Sequence, residues 1–225
     1  MFSTNIKKTL IVILVGYLAS CSIPKTDHEP DENTLLKIDK GSIIGSNKGK
    51  TYQWLGIQYG SIPDSSYRWK RGAETEKWDG VYEALEFGNT CVQKGSLINT
   101  TKRRNWGDIV GSEDCLYLNV WAPKDVFVDL TQSKPVMVWI HGGSNVSGNA
   151  DFYDPTELVS SQDVIVVSIN YRLGPFGWFR HPDITSTAEN KKDQSGNYGN
   201  IDSIQALEWV QRNIGFFGGD SSNIT

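Results

Sequence analysis

The sequence predicts an α/β fold, a sheet of buried strands with helices packed on it. Residues 135–140, with Val136, Met137, Val138 and Trp139, form a nearly continuous apolar run, and residues 164–169 form another. Such runs suit central strands covered on both faces. Between them lies Asp154-Pro155-Thr156-Glu157, an N-cap followed by Pro at the first helical position and Glu three residues after the cap. Beyond them, Ile204, Leu207, Val210 and Ile214 recur at helical spacing. Strand, helix, strand, helix is the order that builds a sheet with helices packed on it.

The N-terminus stands apart from that fold. Lys7 and Lys8 precede an apolar run over residues 10–18. The run is too short to span a bilayer, which takes about 20 apolar residues, and it fits the core of an export signal. It closes in Leu18-Ala19-Ser20-Cys21, which resembles the lipobox of bacterial lipoproteins, where the Cys is acylated and becomes the new N-terminus. Residues 1–20 are expected to be a removable signal and Cys21 the lipid attachment point, placing the protein at the bacterial cell envelope. An ordinary signal peptide with a soluble secreted product is the alternative. Residues 21–40 are polar, with Pro24, Pro30, Asp27, Glu29, Asp31 and Glu32, and are expected to form a flexible tether. The folded body is then residues 41–225.

Within the body, residues 52–59 read as a strand, with Trp54, Leu55 and Ile57 bounded by Gly49 and Gly60. Residues 115–121 alternate Leu116, Leu118 and Val120 with Tyr117 and Asn119, a half-buried strand pattern. A long helix is expected over residues 201–214, stopped by Gly215. The eight Trp residues are expected to anchor packing or wall pockets.

Composition excludes several functions. Twenty-two Lys and Arg against 26 Asp and Glu leave a net charge of −4, which becomes −6 once the signal removes Lys7 and Lys8. Nucleic-acid binding needs a clustered basic face, so no nucleic-acid partner is expected. No metal-ligand spacing and no phosphate-cradling glycine loop is present, so neither metal nor cofactor is implied. With Cys21 in the targeting segment, Cys91 and Cys115 remain in the body. An even pair in an oxidising compartment is a disulfide candidate, and closing a loop of about 25 residues would stabilise by about 3.5 kcal/mol. Two unrelated buried thiols are the alternative.

The first chemical signal is Trp139-Ile140-His141-Gly142-Gly143-Ser144. A buried strand runs directly into small residues, so the backbone can turn with its N–H groups exposed. Exposed donors at a strand end are what an acyl-transfer enzyme needs to hold a developing oxyanion. A Gly pair also marks many ordinary turns, so this segment alone decides nothing.

The second signal is a set. Ser112-Glu113-Asp114-Cys115-Leu116-Tyr117-Leu118-Asn119-Val120-Trp121-Ala122-Pro123 resembles the Glu-Asp-Cys-Leu signature of the type-B carboxylesterase family, which includes the cholinesterases. Gly56-Ile57-Gln58-Tyr59, Asn170-Tyr171-Arg172-Leu173-Gly174, Gly196-Asn197-Tyr198-Gly199, Ala206-Leu207-Glu208-Trp209-Val210 and Phe217-Gly218-Gly219-Asp220 resemble further landmarks of that family, in order. The resemblance spans residues 41–225 and implies the N-terminal portion of an α/β-hydrolase fold, with a mixed, mostly parallel central sheet flanked by helices, incomplete in these residues. It implies that Cys91 and Cys115 are bridged, and that Gly143 and Ser144, with Gly142 adjacent, supply oxyanion-hole N–H donors. The family usually has Gly or Ala and then an aromatic where this chain has Ser144 and Asn145, which changes the wall of the acyl pocket. Asp114 is expected in a structural ion pair, with Arg172 an available partner. Residues 170–174 and 196–199 are expected to be loop geometry and pocket rim. His28 and His181 fall in the tether and a loop, away from any catalytic position.

The resemblance also implies where the nucleophile belongs. Its Gly-x-Ser-x-Gly elbow follows the Phe-Gly-Gly segment, and residue 225 falls about five residues short of that serine. No serine in the chain has glycines at −2 and +2. The acid and the catalytic His would follow the nucleophile in this fold. The expectation is therefore a carboxylic ester hydrolase acting on small-molecule esters, with these residues alone lacking the triad and inactive. A non-catalytic, cholinesterase-like adhesion protein is the alternative. An exposed edge along residues 164–169 is also expected, inviting aggregation. Oligomeric state is not readable.

Overall fold

The computed structural model describes residues 28–96, 107–127 and 132–225. The expected signal over residues 1–20, and Cys21, lie outside the described residues. The body opens with β1 (Leu36–Lys37), β2 (Ser42–Ile44), β3 (Ser46–Lys48) and β4 (Thr51–Gln58). Strand β5 (Val81–Glu83) joins β1 and β2 in a small sheet, and β6 (Gln93–Lys94) pairs antiparallel with β7 (Ile109–Val110). Then come β8 (Tyr117–Pro123) and β9 (Lys134–Ile140), the helix α1 (Thr156–Gln162) and β10 (Ile165–Ile169). Helices α2 (Gly174–Gly177), α3 (Pro182–Thr187) and α4 (Tyr198–Asn213) lead to β11 (Gly219–Ile224).

The main sheet has the order β11-β9-β10-β8-β4-β3. It is mixed: β11, β9 and β10 run parallel, whereas β10–β8, β8–β4 and β4–β3 are antiparallel. The parallel part begins where the helical crossovers begin, at β9–α1–β10, because parallel neighbours need a long return connection. Side-chain alternation splits the core across the two faces. Leu118 and Val120 of β8 and Ile165, Val167 and Ile169 of β10 meet Ala206, Trp209 and Val210 of α4 and Phe217 beyond it. On the opposite face Leu55, Trp121 and Val166 meet Val159 of α1.

Several expectations need correction. The folded body begins before residue 41. Asp31 donates its N–H to the Gly45 carbonyl at 3.0 Å, and buried Thr34 accepts from Gly45 N–H at 2.8 Å and from Trp54 Nε1 at 2.9 Å. The acidic residues there serve a 3-10 turn, Glu32–Thr34, whose cap Asp31 accepts from Asn33 N–H. Over residues 31–34 the polar composition reflects a turn, while residues 21–27 of the expected tether lie outside the described residues. Residues 164–169 leave no exposed edge, since β10 lies between β9 and β8 and the edge strands of this sheet are β11 and β3. Strand β9 is not covered on both faces: Met137 is 42% exposed and Ile140 48%.

The long helix is also rotated from expectation. Ile204 and Leu207 are 48% and 39% exposed, while Asp202, Gln205 and Asn213 are buried. A 3-10 turn, Ile214–Phe217, continues past Gly215, and the chain reverses at Gly218 with φ +81°. The helix begins at Tyr198, so part of the expected rim at 196–199 is its first turn.

Candidate active site

Strand β9 delivers His141 and the three small residues to the end of the sheet. His141 is buried and stacks on Tyr171 at 4.4 Å between ring centroids. Its Nδ1 lies 2.9 Å from the Gly142 carbonyl, which makes Nδ1–H the donor, and its Nε2 has no partner among the described residues. Burial pushes its pKa below the ordinary imidazole value, against the pull of the Gly142 carbonyl, so the ring is neutral at neutral pH.

After His141 the chain turns tightly. Gly143 carbonyl accepts from the N–H of Val146 and of Ser147, both at 3.1 Å. Ser144 and Asn145, at the centre, have φ of +56° and +60°. Two left-handed residues in succession are the pattern of a type I′ turn, which Asn tolerates and Ser adopts at a cost. Gly143, with φ +122°, sits where a Cβ would strike the Ser147 carbonyl oxygen, so only glycine fits. The N–H groups of Gly142, Gly143 and Ser144 donate to no acceptor among the described residues. All three residues are at least partly exposed. The arrangement is a cluster of free backbone donors on a fixed turn, the kind of site that receives an anion.

The turn is held by residues that the sequence reading valued only as loop geometry, or missed. Tyr171 hydroxyl donates to the His141 carbonyl at 2.8 Å. Gly174 N–H donates to the Asn145 carbonyl at 2.7 Å. Asn170 Oδ1 accepts from Ala150 N–H at 2.8 Å, while its Nδ2 donates to the Asn89 carbonyl at 3.0 Å. The Asn170–Gly174 segment is therefore the bracket of the turn. Gln93 was missed altogether: its amide meets both backbone groups of Gly148, and its only sequence signal is its place two residues after Cys91.

Cys91 and Cys115 are bridged, with Cα atoms 5.0 Å apart, as expected. The expected Asp114–Arg172 ion pair does not form. Asp114 accepts from Gln58 Nε2 at 2.9 Å and from Tyr117 hydroxyl at 3.0 Å. Arg172 turns toward α4 instead, giving Nε to Asp202 at 2.8 Å and Nη2 to its second oxygen at 2.6 Å. Asp202 is wholly buried, and burial drives its carboxyl upward against the guanidinium's pull. A buried arginine takes the carboxylate that can meet it with two parallel bonds away from water, and Asp202 offers that where Asp114 is already engaged. His181 caps α3, accepting from Asp183 N–H at 3.3 Å, and stays clear of the turn. Hollows of 410 and 570 Å³ open around Tyr82, and neither is lined by residues 142–144.

Comparison with known proteins places this geometry. The chain matches the carboxylesterase family over residues 32–225. It is 39% identical over 187 residues to the para-nitrobenzyl esterase of Bacillus subtilis (strain 168), covering 82% of this chain and 36% of that protein. It is 34% identical over 210 residues to the fumonisin B1 esterase of Sphingopyxis macrogoltabida, covering 92% of this chain and 37% of that protein. A solved PNB esterase superposes with a TM-score of 0.72 at 35% identity, covering 85% of this chain and 37% of that one. The chain thus spans about a third of the length of the relatives it matches. Its sheet and helices are those of the α/β-hydrolase fold. With the Cys91–Cys115 bridge, the free donors at 142–144 and a match over all but the first 31 residues, this chain belongs to the carboxylesterase family.

Proposed function

We propose that these residues form the oxyanion-bearing N-terminal portion of a serine carboxylesterase that acts on small-molecule carboxylic esters. One observation carries the reading. The N–H groups of Gly143 and Ser144 lack acceptors among the described residues and sit on a turn locked from several sides. Acylation of a serine nucleophile would put negative charge on the ester's carbonyl oxygen, and donors already aimed there stabilise it without rearranging. Removing one such donor costs on the order of 10²–10³ in kcat. Ser144 keeps its backbone N–H, so replacing the family's Gly or Ala preserves the donor. Asn145 replaces the usual aromatic, leaving a more polar wall beside the acyl group.

No elbow serine stands in these residues, so the nucleophile and its base would come from further chain. The test compares the 225-residue chain with one continued through the elbow, acid and His. A short-chain nitrophenyl ester reports turnover, and an organophosphate labels an activated serine. Only the longer chain should turn over ester and take label. Stoichiometric labelling or enzymatic turnover by the 225-residue chain would overturn the assignment.

A further inference from the structure

We propose that Gln93 is a positioning residue whose side-chain amide aims the oxyanion donors and ties them to the Cys91–Cys115 disulfide; this rests on the oxyanion reading above. Gln93 is 5% exposed and sits on β6, two residues beyond Cys91. Its Oε1 accepts from Gly148 N–H at 2.8 Å, and its Nε2 donates to the Gly148 carbonyl at 2.9 Å. The same Nε2 donates to the Cys91 carbonyl at 3.0 Å. A primary amide that meets the N–H and C=O of one residue reproduces the pair of bonds a neighbouring antiparallel strand would make. The turn therefore gains a strand-like partner from a side chain.

Gly148 transmits this grip. Its φ is +116°, and a Cβ there would strike His141 Nδ1 and the Gly142 carbonyl oxygen, so the loop folds back on its own beginning at this residue. Immediately before it, Ser147 N–H holds the Gly143 carbonyl at 3.1 Å. That carbonyl and the Ser144 N–H belong to one planar trans peptide, in which C=O and N–H point opposite ways. Fixing the carbonyl inward therefore fixes the Ser144 N–H outward. The chain of contacts runs from disulfide to Gln93, Gly148, Ser147 and the 143–144 peptide. At its base, the β6–β7 pairing and the bridge between Cys91 and Ser112 anchor Gln93 to the body.

Two variants of the full chain test this through residue-resolved amide hydrogen exchange. Gln93→Leu keeps the bulk and removes the bonds to Gly148 and to the Cys91 carbonyl. It should speed exchange at Val146, Ser147 and Gly148 by about tenfold or more, with β8 and β10 unchanged. Gln93→Glu loses both Nε2 donors while ionised, yet a protonated carboxyl carries one O–H donor and one acceptor. Its turn should be loose at neutral pH and recover much of the protection at Gly148 once the carboxyl is protonated, since the single O–H restores the Gly148 pair and not the bond to the Cys91 carbonyl. A group that only fills space would show no such recovery. Turn amides exchanging at the wild-type rate in Gln93→Leu, or protection independent of pH in Gln93→Glu, would overturn the proposal. If Gln93→Leu loses protection throughout the sheet, Gln93→Glu decides alone. The exchange readout is independent of ester chemistry, so failure of the clamp and failure of organophosphate labelling are separate results.

Discussion

At the scale of single residues, the most consequential pair is Arg172 and Asp202. Both side chains are almost fully buried, and the guanidinium makes two bonds to the carboxylate and a third to the Lys70 carbonyl at 2.7 Å. Arg172 also lies between Tyr171, which holds His141, and Gly174, which holds Asn145. The pair therefore fixes the bracket of the 142–148 turn to α4. Breaking a buried pair leaves one charge without its partner, which costs about 3–5 kcal/mol, whereas replacing both with apolar groups is often close to neutral. Asp202→Ala should lose about that much in urea unfolding, and Arg172→Leu with Asp202→Leu should recover most of it. A loss below about 1 kcal/mol for Asp202→Ala would mean the pair behaves like a surface one.

At the scale of elements, the strands were legible because their apolar runs are dense. Residues 135–140 and 164–169 became β9 and β10 with boundaries moved by a single residue. Helix α4 was legible in position and illegible in face. Apolar spacing chose Ile204 and Leu207, but the buried stripe includes Asp202, Gln205 and Asn213, which bind Arg172, the Gly72 carbonyl and Asp39 N–H. A pattern that scores only hydrophobicity cannot see a helix that buries polar groups with partners distant in sequence. Gly143 and Ser144 stood in a recognisable motif, whereas Gln93, whose partner Gly148 is distant in sequence, did not. Helix α1 gives an element-scale prediction. Asp154 accepts from Thr156 N–H at 3.0 Å and its hydroxyl at 2.5 Å, and pairs with Lys48 at 2.8 Å. Partial burial raises its pKa, but the bonds from Lys48 and Thr156 outweigh that and hold it at about 2. A depressed carboxylate stabilises the fold above its unfolded value, about 3.9, and loses that contribution as pH falls toward 2. Asp154→Ala should cost about 1 kcal/mol at neutral pH, a difference that shrinks between about pH 4 and 2. Urea midpoints for both proteins across that range would check it, and a gap that does not narrow on acidification would exclude the carboxylate as its source.

At the scale of the whole molecule, the two faces of the main sheet are unequally covered. The α4 face is closed, with Trp209, Phe217 and Trp54 wholly buried. The α1 face is not: Met137, Val138, Trp139, Tyr153, Leu158 and Thr225 line an open hollow of 380 Å³. Met137, Tyr153 and Leu158 are all exposed there. Beside this hollow runs β11, an edge strand of the sheet, joined to β9 through Thr225 N–H and the Val136 carbonyl at 2.9 Å. An unpaired edge presents free backbone donors and acceptors, and an apolar hollow rewards any surface that covers it. The 225-residue chain should therefore self-associate along β11 and the α1 face. Light scattering after size exclusion should give a mass that rises with concentration, and a hydrophobic dye should brighten on binding. Met137→Glu with Leu158→Glu places charge on the exposed side of both elements without entering the α4-side core, so it should lower both signals. A strictly monomeric wild-type chain that leaves the dye dark at every concentration would show that this face needs no cover.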